Sequence, residues 1–442
     1  MMSYLPVLVV GVVVALLYLA WAYAEARREH ALHLEAEAVS GLGELLPPTL
    51  HPVIDPSRCI GSGACVSACP EHQVIGLLQG RVRLINPMSC IGHGACAAAC
   101  PAQAIQLVFG TRTRGLELPR MDRNFQTNQD GIYIAGELGG MGLIRNAVLQ
   151  GTQAAAHIIT GSDQRGLRRG KNGAYDALVV GAGPAGISAT LKLMEGGLNV
   201  LLVDQDTFGG TIMHYPRAKV VMTGDLPLPL LGTVKRRTMS REGLVALCAE
   251  IQTRFQVPFK SHELVRSVEA MQDGMWLVRS ETNEFRTANV VLSLGTRGSP
   301  RRLGVPGEEL PKVHYRLLEP QEFAAQHVLV VGGGNSAVET ALSLYDFKGC
   351  ASVSISYRRE QFLRCRSDNR RRIEQAIASG GVRALLPTQV VHIEPKSVTL
   401  LNGGAEPYRI ENDAIIAQLG GTAPSEVLKS FGIELITKYG ER

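Results

Sequence analysis

Residues 175–206 read YDALVVGAGPAGISATLKLMEGGLNVLLVDQD, and this stretch decides the fold. An apolar, β-rich run at Ala177–Val180 leads into Gly181-x-Gly183-x-x-Gly186, with Pro184 and Ala185 between the last two glycines. An amphipathic helical run follows, then a second strand at Asn199–Val203, then Asp204. A glycine triplet alone is a weak signal. This one closes a strand, opens a helix and has an acid 21 positions after Gly183 (204 minus 183). Such glycines permit a tight turn and bring the backbone close to a pyrophosphate at the helix N-terminus, and Asp204 is placed for a ribose hydroxyl. The stretch reads as a dinucleotide-binding unit rather than a structural glycine-rich turn.

Further along, HVLVVGGGNSAVETALSL begins at His327 and repeats the logic. Gly332-x-Gly334-x-x-Ala337 follows a strand, with Asn335 and Ser336 at the head of the helix. The next strand, in ASVSISYRREQF, ends in Tyr357-Arg358-Arg359 instead of an acid. Arginines attract a 2′-phosphate by charge-assisted hydrogen bonds, where an acid would repel it, so NADPH is expected in preference to NADH. Arg364 is a further candidate contact. Arg366, Arg370, Arg371 and Arg372 read equally well as a solvated basic helix.

Two nucleotide units on one chain, the second inside the first, resemble the two-domain flavoprotein reductases of the thioredoxin-reductase type. LSLGTRGSPRRLGVPGEE (Leu292–Glu309) is similar to that family's crossing between domains, and YRREQFLR to its NADPH-binding arginine motif with one residue added. The resemblance implies FAD at the first unit and NADPH, or NADH, at the second. The family's C-x-x-C is missing from HYRLLEPQEFAAQ, so the chain resembles the dithiol-free members: ferredoxin–NADP reductases of this fold and bacillithiol-disulfide-reductase-like proteins. The implied division is an FAD domain over 176–300, an NAD(P)H domain over 301–411, and a return to the FAD domain over 412–442.

In that family the last segment comes back to the flavin with a pattern like T-x-x-x-G-I-x-x-A-G-D. Here the pattern stands at Thr127–Glu137, TNQDGIYIAGE, inside 117–160 and ahead of the first unit, with Glu137 in place of the usual Asp. The simplest account is a circular permutation. Gly136 and Glu137 would then lie at the flavin, Glu137 toward the ribityl chain, and a helix starting near Gly142–Asn146 would aim its positive end at the isoalloxazine. The alternatives are an unrelated loop and helix, or a segment that completes a neighbouring subunit in a swapped homodimer.

Six of the nine cysteines fall in one short stretch. Cys59-Ile-Gly-Ser62-Gly-Ala-Cys65-x3-Cys69-Pro is repeated 31 residues on (90 minus 59) as Cys90-Ile-Gly-His93-Gly-Ala-Cys96-x3-Cys100-Pro. Residues 51–110 resemble the bacterial two-cluster ferredoxins, in which the fourth cysteine of each run ligates the other cluster. The resemblance implies one iron–sulfur cluster on Cys59, Cys65 and Cys100 with Ser62 at the vacant corner, and a second on Cys90, Cys96 and Cys69 with His93 there. Both are 4Fe–4S or, lacking a fourth ligand, 3Fe–4S. The competing reading is a decayed module without clusters. Linkage of this module to the flavin-covering segment implies that cluster and flavin are close.

Composition sets the bounds. The chain has 442 residues, 45% hydrophobic and 19% charged, enough for two or three domains. An odd count of cysteines with three scattered ones (Cys248, Cys350, Cys365) excludes a disulfide framework. The net charge of +5 is spread out, and no nucleic-acid partner is expected. Residues 1–24 carry no charge and suffice for one membrane span, flanked by Tyr4 and by Tyr18, Trp21 and Tyr23. Arg27 and Arg28 follow, so the N-terminus is expected outside and the soluble domains in the cytoplasm, in the inner (cytoplasmic) membrane. A cleaved signal peptide is the alternative, weakened by the missing basic start. Residues 25–50 read as a helical linker ended by Pro47 and Pro48.

The expected fold class is α/β, with two Rossmann-like domains for FAD and NAD(P)H, a small α+β ferredoxin-type domain and one N-terminal transmembrane helix. The expected activity carries electrons between NADPH, FAD, the clusters and an unknown acceptor or donor, in either direction. The cofactors supply the chemistry, so no catalytic side chain is assigned. A non-catalytic redox sensor or adaptor, and a low-molecular-weight disulfide reductase, are the competing functions.

Overall fold

Residues 5–40 hold nothing that breaks a helix except Pro6, which a first turn tolerates. They form one helix, α1 (Leu5–Ser40), whose 36 residues span about 54 Å. The expected anchor and linker segments are thus one rod through Ser40, and the expected stop at Pro47 and Pro48 lies outside the described residues. Its segment Val9–Leu34 is long and apolar enough to cross a membrane by length and composition.

This computed structural model describes the chain except residues 1–4, 41–49, 72–73, 114, 141, 166–172, 216–219, 223, 237, 296–300, 318, 363–364, 366, 404–405, 422–423 and 442. The chain folds as two compact units, Met1–Thr111 with Gly440–Arg442, and Arg112–Tyr439.

In the first unit α1 is followed by β1 (His51–Ile54), α2 (Ala64–Ala68), β2 (Ile75–Leu78), β3 (Arg81–Leu84), α3 (Ala95–Ala98) and β4 (Ile105–Val108). β1 and β4 pair antiparallel, His51 opposite Val108, and β2 and β3 form a hairpin. Val74, Ile75, Val82 and Ile105 form a small core together with Cys65, Cys69 and Cys96. The C-terminal half of α1 bonds to the turn between β2 and β3: Glu29 Oε1 accepts the Gln79 N–H at 2.9 Å. Gly440 and Glu441 bond to Phe109 at 2.8 Å each.

The second unit begins with β5 (Leu116–Pro119), β6 (Ile132–Ile134) and α4 (Ile144–Arg165). β7 (Tyr175–Val180), α5 (Pro184–Glu195) and β8 (Val200–Val203) make the first strand–turn–helix–strand unit. Next come β9 (Val220–Met222), β10 (Leu226–Leu228), β11 (Gly232–Val234), β12 (Thr238–Ser240), α6 (Arg241–Phe255), β13 (Phe259–Lys260), β14 (Val265–Ala270), β15 (Trp276–Ser280) and β16 (Glu284–Leu292). The main sheet runs β13-β8-β7-β16-β15-β14, and β6 adds parallel to the last three residues of β16. Ala177–Val180 of β7 and the whole of β8 are buried on both faces, which is why they read as unbroken apolar runs.

The rest comprises β17 (Val313–His314), β18 (His327–Val331), α7 (Asn335–Phe347), β19 (Ser352–Ser356), α8 (Ser367–Ala378), β20 (Arg383–Leu385), β21 (Thr388–Glu394), β22 (Ser397–Asn402), β23 (Tyr408–Glu411), β24 (Ala414–Ala417), α9 (Ser425–Ser430) and β25 (Leu435–Lys438). A parallel sheet runs β17-β24-β18-β19-β20, flanked by the antiparallel β21-β22-β23. The expected boundary at 411 falls one strand early. β24 pairs with β18, Leu329 opposite Ile415, so 414–417 belong to the second sheet and not to a return segment.

Candidate functional site

The first turn is built as its glycines require. Gly181 has φ +107°, and a Cβ there would lie 2.4 Å from the Ser293 carbonyl oxygen. A Cβ on Gly186 would sit 1.8 Å from the Gly181 oxygen, so only glycine lets α5 start against the turn. Gly183 caps α5 without a side-chain hydrogen bond, Pro184 opens the helix, and a Cβ on Gly183 would meet nothing within 4 Å. The helix N-terminus is thus bare and open, a cradle suited to a pyrophosphate. Asp204 sits at its edge. Its Oδ2 accepts the Ala182 N–H at 2.6 Å and its Oδ1 the Asp206 N–H at 2.8 Å. Burial pushes the Asp204 carboxyl up. Each oxygen keeps a lone pair for a ribose hydroxyl.

The segment ahead of this unit folds onto it. Ala135 donates to the Leu292 oxygen at 3.0 Å, extending the β6–β16 pairing. Gly136 has φ +91°, and a Cβ there would lie 2.9 Å from the Ala185 methyl. Its N–H donates to buried Gln150 Oε1 at 2.8 Å. α4 packs on α5 at Gly151, where a Cβ would be 2.1 Å from the Ala185 oxygen, and the Ser188 hydroxyl donates to the Val148 oxygen at 2.9 Å. Glu137 is exposed, on the turn next to Gly136.

The second turn repeats the first. Gly332 has φ +143° and presses on the Gln418 carbonyl, Gly334 caps α7 without a side-chain bond and faces open space, and Ala337 is buried behind it. Ser336 is exposed. Asn335 is held from α8: Asn369 Nδ2 donates to Asn335 Oδ1 and to Glu339 Oε1, both at 3.1 Å. The Tyr357 ring covers Gly333 and stacks on Phe362 with centroids 5.9 Å apart. Arg358 and Arg359 stand exposed just beyond the β19 strand. Arg364 and Arg366 lie outside the described residues. Arg371 pairs with Asp368 at 3.0 Å and Arg372 with Asp346 at 2.9 Å, as a solvated helix face would.

In the first unit the two cysteine loops share one backbone shape. Gly61 and Gly63 have φ +69° and +70°, Gly92 and Gly94 +74° and +78°. Cys65, Cys69 and Cys96 are buried, and Cys59, Cys90 and Cys100 half-buried. The Ala104 N–H donates to Cys100 Sγ at 3.3 Å. Burial pushes the Cys65, Cys69 and Cys90 thiols up and takes Cys96 to about 11. After burial, Cys65 responds to Cys100 and Cys59, Cys90 to Cys69, and Cys96 to Cys90, Cys69 and lastly Cys65. Thiolates in such surroundings need cations beside them. Among the described residues no three His, Cys, Asp or Glu side chains converge on a single-ion site. His93 Nε2 is buried and has no hydrogen-bond partner among the described residues, while Ser62 is exposed.

Sequence reading missed several residues that shape these sites. Ser293 Oγ lies 2.9 Å and 2.8 Å from the Val180 and Gly181 oxygens and braces the first turn. Gln150 and Asn369 position Gly136 and Asn335. Asp206 contacts His214 and lies 3.6 Å from Arg316. Burial works against its charge, but His214 and Arg316 hold its carboxyl below the usual range. None of these belongs to a local motif.

Residues 178–439 match the family described as pyridine nucleotide-disulphide oxidoreductase, and residues 51–101 match a 4Fe–4S dicluster domain. A ferredoxin–NADP reductase of Ignicoccus hospitalis is 31% identical over 59% of this chain and 82% of its own length. The bacilliredoxin reductase Bdr of Bacillus subtilis is 26% identical over 60% of this chain and 82% of its own. Among solved structures, the bacillithiol disulfide reductase of Staphylococcus aureus superposes with TM-score 0.52 at 24% identity, over 58% of this chain and 80% of that one, a likeness of fold. The chain belongs to the pyridine nucleotide-disulphide oxidoreductase family, as an FAD-dependent NAD(P)H oxidoreductase that also carries a 4Fe–4S dicluster domain.

Proposed function

We propose that this chain is a membrane-anchored reductase linking NADPH to a one-electron partner through its own iron–sulfur module. When bound, the flavin exchanges a hydride with the nicotinamide and single electrons with the clusters, in whichever direction the partners' potentials dictate. The residues bind and orient. Gly181, Gly183, Pro184, Ala185, Gly186 and Asp204, with Gly136 and Glu137, hold FAD. Gly332, Gly334, Asn335, Ser336 and Ala337 hold the pyrophosphate of the second nucleotide. Arg358, Arg359 and Arg364 attract a 2′-phosphate, which favours NADPH over NADH.

Two clusters are assigned, one to Cys59, Cys65 and Cys100 and one to Cys69, Cys90 and Cys96. This grouping follows the crossed ligation that the ferredoxin resemblance implies. Residues 117–160 are assigned as the family's closing flavin segment, moved ahead of the first turn by circular permutation. Support comes from β6 pairing with β16. The apolar length of α1 and the arginines after it support a single span of the cytoplasmic membrane, N-terminus outside.

The observation that carries this reading is that one chain holds both open nucleotide turns and the two repeated cysteine loops. The test compares acceptors. NADPH should reduce an added cytochrome c, and Cys65→Ala or Cys96→Ala should cut that rate at least about tenfold while sparing dichlorophenolindophenol, which draws on the flavin. Cytochrome c rates unchanged in both variants would contradict the reading.

A further inference from the structure

The repeat in the first unit is regular in backbone and unequal in side chain. Residues 62 and 93 each stand between two glycines of matching positive φ, three residues ahead of Cys65 and Cys96 respectively. They therefore hold equivalent places beside two equivalent thiol sets. At one place His93 presents a buried Nε2 with no hydrogen-bond partner among the described residues. Leaving such an atom unpaired is destabilising, so a buried orphan of this kind points to a partner absent from the protein itself. An imidazole nitrogen is a competent iron ligand.

The other place differs in every respect that matters for ligation. Ser62 is exposed, and its oxygen is a harder and poorer donor to cluster iron than a thiolate or imidazole. The loop around it is open: a Cβ on Gly63 would meet nothing within 4 Å, and Ile60 is 71% exposed, although Gly61 presses on Gly80. The His93 loop is covered. A Cβ on Gly92 would lie 2.7 Å from the Leu50 oxygen and one on Gly94 3.0 Å from Leu107.

We infer that the two clusters are chemically unequal. His93 Nε2 is the fourth ligand of the cluster on Cys69, Cys90 and Cys96, and the cluster on Cys59, Cys65 and Cys100 has one iron that no side chain ligates, open beside Ser62 to water or a small thiolate or anionic ligand. This rests on the two-cluster assignment above. A neutral imidazole in place of a thiolate raises the potential of its cluster above that of an all-cysteine centre. The open iron is the labile one. With ferricyanide as oxidant, a [4Fe–4S]2+ centre at that site gives up one electron and one Fe2+ and becomes [3Fe–4S]+. The imidazole-capped centre keeps its iron.

The test uses the full chain purified without oxygen. Pulsed EPR of the reduced protein should show the nitrogen hyperfine coupling of an iron-bound imidazole. It should vanish in His93→Ala and in His93→Cys, the latter restoring the usual ligand and so guarding against a folding defect. Ferricyanide should release one iron per chain and raise the EPR signal of a three-iron cluster in the parent and in Ser62→Ala alike, but not in Ser62→Cys. Cluster signals without nitrogen coupling in the parent would overturn the His93 assignment, and iron retained after ferricyanide, or lost differently in Ser62→Ala, would overturn the open corner. A protein devoid of iron would instead refute the two-cluster assignment itself.

Discussion

Lys438 stands opposite Leu116 in an antiparallel pair, β25 against β5. The strand that follows the second sheet and the strand that precedes the first turn are therefore neighbours. Around them Arg120 pairs with Glu434 at 2.7 Å, and the Asn128 and Gln129 amides both donate to the Gly432 oxygen. A short turn from Lys438 to Leu116 would make a hairpin of the two strands. It would also place residues 116–165 after the second nucleotide unit, the order from which the proposed permutation departs. The packing of β6 and α4 is indifferent to that order, because a sheet edge is filled by whichever strand reaches it.

The glycine turns make the sharpest prediction. Gly186→Ala pushes a methyl onto the Gly181 carbonyl, an overlap costing about 1–3 kcal/mol. The variant should retain roughly ten- to hundredfold less FAD than the parent, read from the flavin absorbance after gel filtration. Gly183→Ala meets no protein atom within 4 Å. Its fold should survive while its cofactor binding weakens. Equal loss of fold in both would argue against a cradle at Gly183.

Gln150 is buried and takes the Gly136 N–H. Gln150→Leu leaves that donor unsatisfied and should lower stability by about 1–3 kcal/mol. Thermal scans with and without added FAD should show that the variant gains less from the cofactor than the parent does. An unchanged midpoint in both conditions would separate Gly136 from the flavin site.

Arg358 and Arg359 stand exposed after β19. Replacing both with alanine should raise the KM for NADPH about 10- to 100-fold, the worth of one or two charge-assisted bonds, and leave that for NADH unchanged. A parallel rise for both nucleotides would mean that the arginines do not read the 2′-phosphate.

Lys312 donates to the Ser397 and Asn412 oxygens, and burial brings its ammonium down to about 8 from 10.5. Between those two pH values the unfolded chain holds a proton that the folded chain has released, so stability from this group rises with pH. Below pH 8 both states are charged and the contribution is flat. The parent should gain relative to Lys312→Met across that window. The gain is at most about 1.4 kcal/mol per pH unit, and less because solvent reaches the half-buried group. Midpoints of thermal unfolding at several pH values read the difference, and parallel curves would refute it.

Much of this was legible in the sequence, for identifiable reasons. Both nucleotide units announce themselves because turn chemistry is local: a residue such as Gly186 has no substitute where a Cβ has no room. The repeated cysteine loops are equally local, and their shared backbone shape bears out the internal repeat. The boundary at 411 was misjudged because Ala414–Ala417 is a bare apolar strand, and only its pairing with β18 assigns it to a sheet. Gln150, Asn369, Ser293 and the Asp206, His214 and Arg316 cluster were invisible because each acts on a residue far along the chain. The difference between His93 and Ser62 was visible as spelling, but the burial of one and exposure of the other needed the fold.

The central claim is that electrons pass between a nicotinamide and protein-bound iron on this one chain. The most direct measurement is rapid freeze-quench EPR of protein purified without oxygen and mixed with NADPH. The account predicts that the flavin absorbance bleaches and that signals of reduced iron–sulfur clusters then grow in. Bleaching of the flavin with clusters that are present but stay oxidised, however long the mixture stands, would contradict it.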